Sequence, residues 1–376
     1  MGMQSRFSSG VKKMKIEELV RKEVFELHLY EVENVPVRTL DERVVKLDLN
    51  ENFAAAIDVM EKLLLDACQD IDVRLYPPPY GGMAIKAISD FLGFSESEIS
   101  VGNGADEVLD LLMKVLVKKD SKVLVVEPTF TMYTYFTQLY GGRKVTVLLR
   151  PNFELDIDAI LKEIDKETGL LILCSPNNPT GNQFKEGEIK KILREFNGVV
   201  VVDEAYVDFA KYTTIDWVRN FDNLVVLRTF SKAFGLAGVR FGFLVSNKSI
   251  VEYVKRVTSP FNVNIVTQRL IALALKNWKY FKERIQYVIR EREWLRNNLA
   301  KIDGITPYPS DANFILFKVT KNNLTSSTVT KRLENRNVLV KDRGNLPLLT
   351  NCIRVTVGTR DMNETFLSAL EEALEE

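Results

Sequence analysis

At 376 residues the chain is too long for one comfortable core, and with 46% apolar residues it has enough hydrophobic side chains for two. Its 51 basic and 51 acidic residues cancel, which removes any electrostatic argument for nucleic acid or an anionic membrane surface as a partner. The single histidine, His28, argues against a zinc site of several imidazoles and against a Ser-His-Asp triad, so general-base work falls to Lys, Asp, Glu or Tyr.

The opening Met1-Gly2-Met3-Gln4-Ser5-Arg6 leads into a charged segment, so no signal peptide is expected, and no run reaches about 18 apolar residues. Residues 1 to about 40 read as an N-terminal arm, frayed over the first ten, with a short helix from Ile16 to Leu29. From about 75 to 245, short apolar runs alternate with helical stretches. The runs are Lys122 to Glu127, Val145 to Leu149, Leu170 to Cys174, Val199 to Asp203, Leu224 to Leu227 and Phe241 to Val245. Val199 to Val202 is apolar on both faces, as a parallel strand covered by helices on both sides requires. Helices are predicted between the runs, including Asp106 to Val117 and Glu186 to Phe196, which makes an α/β sheet with crossover connections.

Beyond this, Phe281, Ile285, Val288, Ile289, Leu295, Leu299 and Ile302 recur at helical spacing within Tyr280 to Ile302, long enough to link two domains. Strands at Asn313 to Val319, near Val338 to Val340 and at Cys352 to Val357, then a helix from Asn363 to Glu375, predict a smaller α+β unit. Cys68, Cys174 and Cys352 lack metal-ligand spacing and fit core positions in a reducing compartment. No metal is expected, and the expected location is the cytoplasm.

The polar motifs fall at strand ends, where open α/β sheets bind ligands. Gly102-Asn103-Gly104-Ala105-Asp106-Glu107 precedes a helix whose first N–H groups can face an anion; an ordinary helix start is the plainer alternative. Ser100-Val101 before it is too short for a strand assignment. Cys174 to Gly181 ends a strand with two Pro and two Asn, a turn able to fix an Asn amide. Asp203-Glu204-Ala205-Tyr206 closes the most hydrophobic strand, where a partly desolvated carboxylate favours a cation, or simply caps the next helix. Finally, Leu224 to Leu227 leads into Thr229-Phe230-Ser231-Lys232, a Gly-rich stretch and Arg240. An amine, a hydroxyl and a second cation at a strand's end suit covalent capture of a phosphorylated aldehyde.

With these motifs in hand, the chain resembles the aspartate-aminotransferase-like superfamily of pyridoxal-phosphate enzymes (fold type I), and within it the histidinol-phosphate aminotransferases. The likeness rests on Leu49-Asn50-Glu51-Asn52, Tyr76-Pro77-Pro78-Pro79, Gly102 to Glu107, Pro128 to Tyr133, Ser175 to Gly181, Asp203 to Tyr206, Thr229 to Arg240 and Ile353 to Arg360, spanning roughly 48 to 360. It implies a large cofactor-binding domain at 46–275, with a mostly parallel seven-stranded sheet flanked by helices. A small α+β domain at 276–376 opens on the long linking helix, and residues 1–45 form the arm and part of the small domain.

The resemblance also implies roles. Lys232 binds pyridoxal 5′-phosphate covalently and, once displaced by substrate, moves the proton. Asp203 pairs with the ring nitrogen, Tyr206 and Asn178 serve the ring's 3-oxygen, and Tyr133 stacks on the ring. Gly104, Ala105, Asp106, Ser231 and Arg240 hold the phosphate, and Tyr76 reaches it from the other subunit of a homodimer with shared active sites. Arg354 would bind the carboxylate of glutamate or 2-oxoglutarate and the phosphate of histidinol phosphate, with Arg343, Lys341 and Asn52 also on the substrate side. Three departures stand out: Phe53-Ala54 after Asn52 where a Pro and a turn are usual, Pro78 where an acid is common, and Lys341 where Arg is usual. Because Lys341 lacks the planar fork of arginine, the same chemistry on aromatic or other amino acids is the alternative reading.

Overall fold

The computed structural model describes residues 20–25, 27 and 44–376. The expected N-terminal arm, with its frayed start and His28, lies outside the described residues except for a short helix, Lys22–Phe25, within the predicted Ile16 to Leu29. Taken in chain order, the strands are β1 (Val45–Lys46), β2 (Ile99–Gly102), β3 (Lys122–Glu127), β4 (Arg143–Leu148), β5 (Thr168–Cys174), β6 (Val199–Asp203), β7 (Leu224–Thr229), β8 (Gly242–Ser246), β9 (Ile305–Pro307), β10 (Phe314–Val319), β11 (Val338–Leu339), β12 (Lys341–Asp342) and β13 (Cys352–Thr356).

Seven of them form one sheet in the order β2-β8-β7-β6-β5-β3-β4. The β3–β4, β3–β5, β5–β6 and β6–β7 pairs are parallel, and β8 runs antiparallel to both β2 and β7. The segment at Ile99–Gly102, judged too short from sequence, is thus an edge strand, and all four of its residues are buried. Alternation along each strand sends side chains to two separate cores. Val200, Val202, Val226, Leu171 and Leu173 pack on one face, and Val201, Val225, Leu227, Leu170 and Ile172 on the other. Both faces are apolar because helices cover both.

After β3 the chain moves outward to β4, but after β5 it moves the other way to β6. The carboxyl ends of β3 and β5 therefore flank a topological switch point, where such sheets open a crevice. The first motif residues past these ends are Thr129 to Tyr133 and Ser175 to Asn178.

The expected boundary at 275/276 falls at the end of the helix Ile265–Lys276, next to the 22-residue helix Trp278–Leu299. That long helix buries Phe281, Ile285, Val288, Leu295 and Leu299, the predicted apolar stripe. Antiparallel β12-β13-β10-β9 form a second sheet, backed by the helices Ser326–Glu334 and Arg360–Glu375. Strand β1 pairs in parallel with β11, and the Leu47 carbonyl accepts from Thr356 N, so the segment before Asn50 is tied to the smaller unit. Among the described residues, no helix is long and apolar enough to cross a membrane.

Candidate active site

A cavity of ≈ 320 Å³ opens at the carboxyl edge of the large sheet, against β13 of the smaller one. Lys232 lies in it three residues past β7, where the Thr229 hydroxyl accepts from the Ser231 backbone N–H at 3.1 Å and turns the chain off the strand. The Lys232 Nζ donates to the Leu49 carbonyl at 2.9 Å and, among the described residues, has no carboxylate hydrogen-bonded to it. Burial, and then the Arg354 guanidinium, lower its pKa to about 8, so this amine gives up its proton far more readily than an ordinary lysine.

Asp203 ends β6 and is 5% exposed. Its Oδ1 accepts from Ala205 N at 2.9 Å, and its Oδ2 accepts from the Tyr133 hydroxyl at 2.7 Å. Burial raises its pKa to about 6, against the pull of the Tyr133 hydrogen bond. The neighbouring Glu204 faces the other way and is held by Arg228 at 3.0 and 2.9 Å, by Thr213 and by Thr214. Strand alternation thus assigns one acid of the Asp-Glu pair to the cavity and the other to a buried salt bridge. The buried Tyr206 hydroxyl, its pKa pushed up to about 12 by burial, accepts from Asn50 Nδ2 at 2.9 Å.

At one end of the cavity the helix Ala105–Leu116 begins with Gly104 as N-cap, and no side chain caps it. Its first N–H groups and positive dipole end suit an anion. Arg240 closes over this start, with Nη2 at 3.2 Å from Asp106 Oδ2. Gly104 has φ +98°, and a Cβ there would stand 2.6 Å from Arg240 Nη2. Gly242 plays a similar part, since a Cβ on it would strike the Ala105 backbone. Both glycines let the helix start, the strand and the arginine converge. Arg240 itself has a left-handed backbone (φ 54°), a conformation concentrated at functional sites.

Across the cavity, Arg354 on β13 is 3% exposed. Its Nη1 donates to Asn178 Oδ1 at 2.6 Å and its Nη2 to the Asp48 carbonyl, while its guanidinium lies over the Phe314 ring. With its oxygen engaged, the Asn178 amide keeps its NH₂ as a donor.

Lys232, Asp203, Tyr206, Tyr133, Asn178, Ala105, Asp106, Ser231, Arg240, Arg343 and Arg354 all line this one cavity, and Gly104 adjoins it. Three predicted residues do not. Asn52 donates from Nδ2 to the Ala233 carbonyl at 2.9 Å and accepts from Ala54 N, so it braces the Lys232 loop rather than facing the substrate side. Lys341 lies on β12 with its backbone opposite Arg354. Tyr76 is 81% exposed and stacks on Phe261 at 4.5 Å, away from its own chain's cavity. Sequence reasoning missed Asn50 and Glu51, which do line the cavity. The signal available was only the repeated Asn at 50 and 52; a left-handed turn at Asn50 (φ 56°) decides which one faces inward.

This geometry has known counterparts. The chain belongs to the class I and II aminotransferases, whose family model matches residues 42–370. It is 38% identical over 360 residues to the histidinol-phosphate aminotransferase of Caldanaerobacter subterraneus subsp. tengcongensis, covering 96% of this chain and 99% of that one. It is 37% identical over 360 residues to the protein of the same name from Thermoanaerobacter pseudethanolicus, with 96% and 99% coverage. Its fold matches the crystal structure of histidinol-phosphate aminotransferase from Sinorhizobium meliloti in complex with pyridoxal-5′-phosphate. The TM-score is 0.85 at 23% identity, over 95% of this chain and 97% of that one.

Proposed function

We propose that the chain is a pyridoxal-phosphate-dependent aminotransferase acting on L-histidinol phosphate and 2-oxoglutarate, giving imidazole acetol phosphate and glutamate. The observation that carries this reading is the convergence, in one cavity, of a buried amine of lowered basicity, a buried carboxylate, an uncapped helix start under an arginine, and a second buried arginine. Its relatives over nearly their full length carry the histidinol-phosphate aminotransferase name.

The residues fit the cofactor. The uncapped helix start at Ala105 and Asp106, with Ser231 and Arg240, suits a phosphate, and the glycine at 104 leaves the arginine room to lie there. When bound, pyridoxal phosphate supplies an aldehyde that condenses with amines and a ring that draws electrons from the reacting carbon. The side chains do the rest. Asp203 would hold a positive charge on the ring nitrogen. The partly exposed Phe130 in the cavity wall would supply the aromatic face expected of Tyr133, which is completely buried with its hydroxyl on Asp203. Tyr206 and the Asn178 NH₂, both in the cavity wall, would serve the ring's 3-oxygen as donors. Lys232 would hold the cofactor through Nζ, and the same nitrogen, when free, would be the base that moves the proton. Its low basicity comes from burial and from Arg354, so no histidine is required.

Histidinol phosphate has a phosphate and no carboxylate, whereas glutamate has two carboxylates. Arg354 offers a planar fork able to meet either anion, with Arg343 on the same cavity wall. Lys341 is the cross-strand neighbour of Arg354 and adds charge nearby. The reading includes a homodimer in which Tyr76 serves the neighbouring site. Supporting it, Ile57, Leu64, Leu65, Val73, Leu75 and Tyr76 are all exposed within twenty residues of sequence, more apolar surface than a lone subunit ordinarily leaves open. A cytoplasmic location fits three unpaired cysteines.

The test is amino transfer from histidinol phosphate to 2-oxoglutarate by the purified, yellow protein, with Lys232→Ala as control. Activity in the parent and none in the variant is expected; a colourless, inactive parent supplied with cofactor would sink the proposal. Sedimentation giving a fully active monomer would refute the shared site.

A further inference from the structure

Tyr133 bears on the cofactor site through its hydroxyl rather than through an exposed ring face. It is completely buried near the start of the helix Met132–Leu139, edge-on to Phe130 at 5.6 Å, and its hydroxyl donates to Asp203 Oδ2 at 2.7 Å. The other carboxylate oxygen is taken by the Ala205 backbone. Asp203 is therefore held at both oxygens, once by main chain two residues away and once by a side chain seventy residues away.

We propose that the Tyr133 hydroxyl is a positioning group for Asp203: it fixes the carboxylate's rotation and weakens its hold on a proton, so that a proton shared with a ring nitrogen stays on the ring. This rests on the cofactor reading above and gives Tyr133 a duty that its buried ring alone does not perform.

The electrostatic setting explains why such a donor is needed. The groups that act on Asp203 are Tyr133 from the helix after β3, Cys174 at the end of β5, Asp106 from the helix after β2, Tyr206 from the following loop, and the charge of Glu204, whose carboxylate points away. None of these is a cation. Burial and the two acids push the carboxylate towards neutrality, and the Tyr133 hydrogen bond opposes them. The phenol's own pKa is driven well up by burial and by Asp203, so it remains a donor throughout the working pH range. A neutral Asp203 could not hold charge on the ring nitrogen, and the ring would lose much of its electron-withdrawing power.

Tyr133→Phe removes one oxygen and keeps the buried ring. The experiment measures cofactor affinity of parent and variant apoprotein between pH 5 and 9. Two ligands are compared: pyridoxal phosphate, and its 1-deaza analogue, which has carbon in place of the ring nitrogen. In the parent, pyridoxal phosphate affinity falls as pH drops through about 6, where Asp203 takes up a proton. In Tyr133→Phe that acid limb moves to higher pH, so affinity near pH 6 weakens several-fold while affinity near pH 8.5 changes little. Both proteins bind the deaza analogue alike. On an Asp203→Asn background, Tyr133→Phe adds no further shift, and this pair covers the case in which the single variant folds poorly. Superimposed acid limbs, or equal weakening of both ligands, would overturn the inference while leaving the cofactor reading intact. A parent that takes up no pyridoxal phosphate would overturn both.

Discussion

Arg354 Nη1 donates a 2.6 Å hydrogen bond to Asn178 Oδ1, joining the central strand region of the small sheet to the turn after β5 of the large one. The substrate-side cation and the cofactor-side amide are thus set by one contact. Arg354→Ala should slow both half-reactions, since truncating a buried charged partner typically costs about 2–5 kcal/mol, and it should also free the Asn178 amide to rotate. Arg354→Lys should rescue little because the fork is lost. By contrast Arg343→Ala or Lys341→Ala should harm histidinol phosphate more than glutamate. Half-reaction rates by single-turnover absorbance check each point; full rescue by lysine would refute the bidentate role.

Lys232 should capture cofactor faster as pH rises through about 8, where its amine loses its proton, rather than near the ordinary lysine value of about 10.4. The sign comes from burial and the Arg354 charge, both of which disfavour the ammonium form. Stopped-flow reconstitution of apoprotein across pH 6–10 measures it. A midpoint near 10 would contradict the environment described.

Asp203→Asn should keep cofactor but lose about two orders of magnitude or more in kcat, as for other lost preorganised electrostatic contacts worth about 2.7–4 kcal/mol. The amide has one oxygen and keeps one of the two contacts, to the Tyr133 hydroxyl or to Ala205 N, so folding should survive while cofactor affinity weakens. A loss smaller than about tenfold in steady-state turnover would count against a charge at this position.

Gly104→Ala should weaken cofactor binding by about an order of magnitude or more, because the new Cβ meets Arg240 Nη2 at 2.6 Å and the backbone is left-handed. Binding titration reads the effect. Unchanged affinity would show that Arg240 does not need its place against Gly104.

Much of the fold was legible in the sequence, for physical reasons. The runs that became β3, β5, β6 and β7 are apolar enough to need cover on both faces, so their strands and the α/β class came from hydrophobicity alone. Strand β2 was missed because Ser100 and Gly102 dilute its pattern; pairing with β8 buries it. Asp203 and Glu204 are indistinguishable by pattern, since Val199 to Val202 is uniform and only three-dimensional alternation separates cavity from salt bridge. Asn50 and Asn52 were confused for a related reason: a single left-handed residue breaks the alternation. The strand-end pattern pointed to Lys232 as an amine for aldehyde capture, whereas the role of Arg354 came from the resemblance alone. The contact between Tyr133 and Asp203 joins residues seventy positions apart and emerged only from the fold.

The most direct measurement is a substrate competition with the purified holoprotein, comparing kcat/KM for histidinol phosphate, tyrosine and phenylalanine with 2-oxoglutarate as acceptor. With Arg354 and Arg343 lining one cavity and Lys341 the cross-strand neighbour of Arg354, histidinol phosphate should lead by at least about tenfold. Faster turnover of tyrosine or phenylalanine would contradict the substrate assignment and leave only the aminotransferase chemistry.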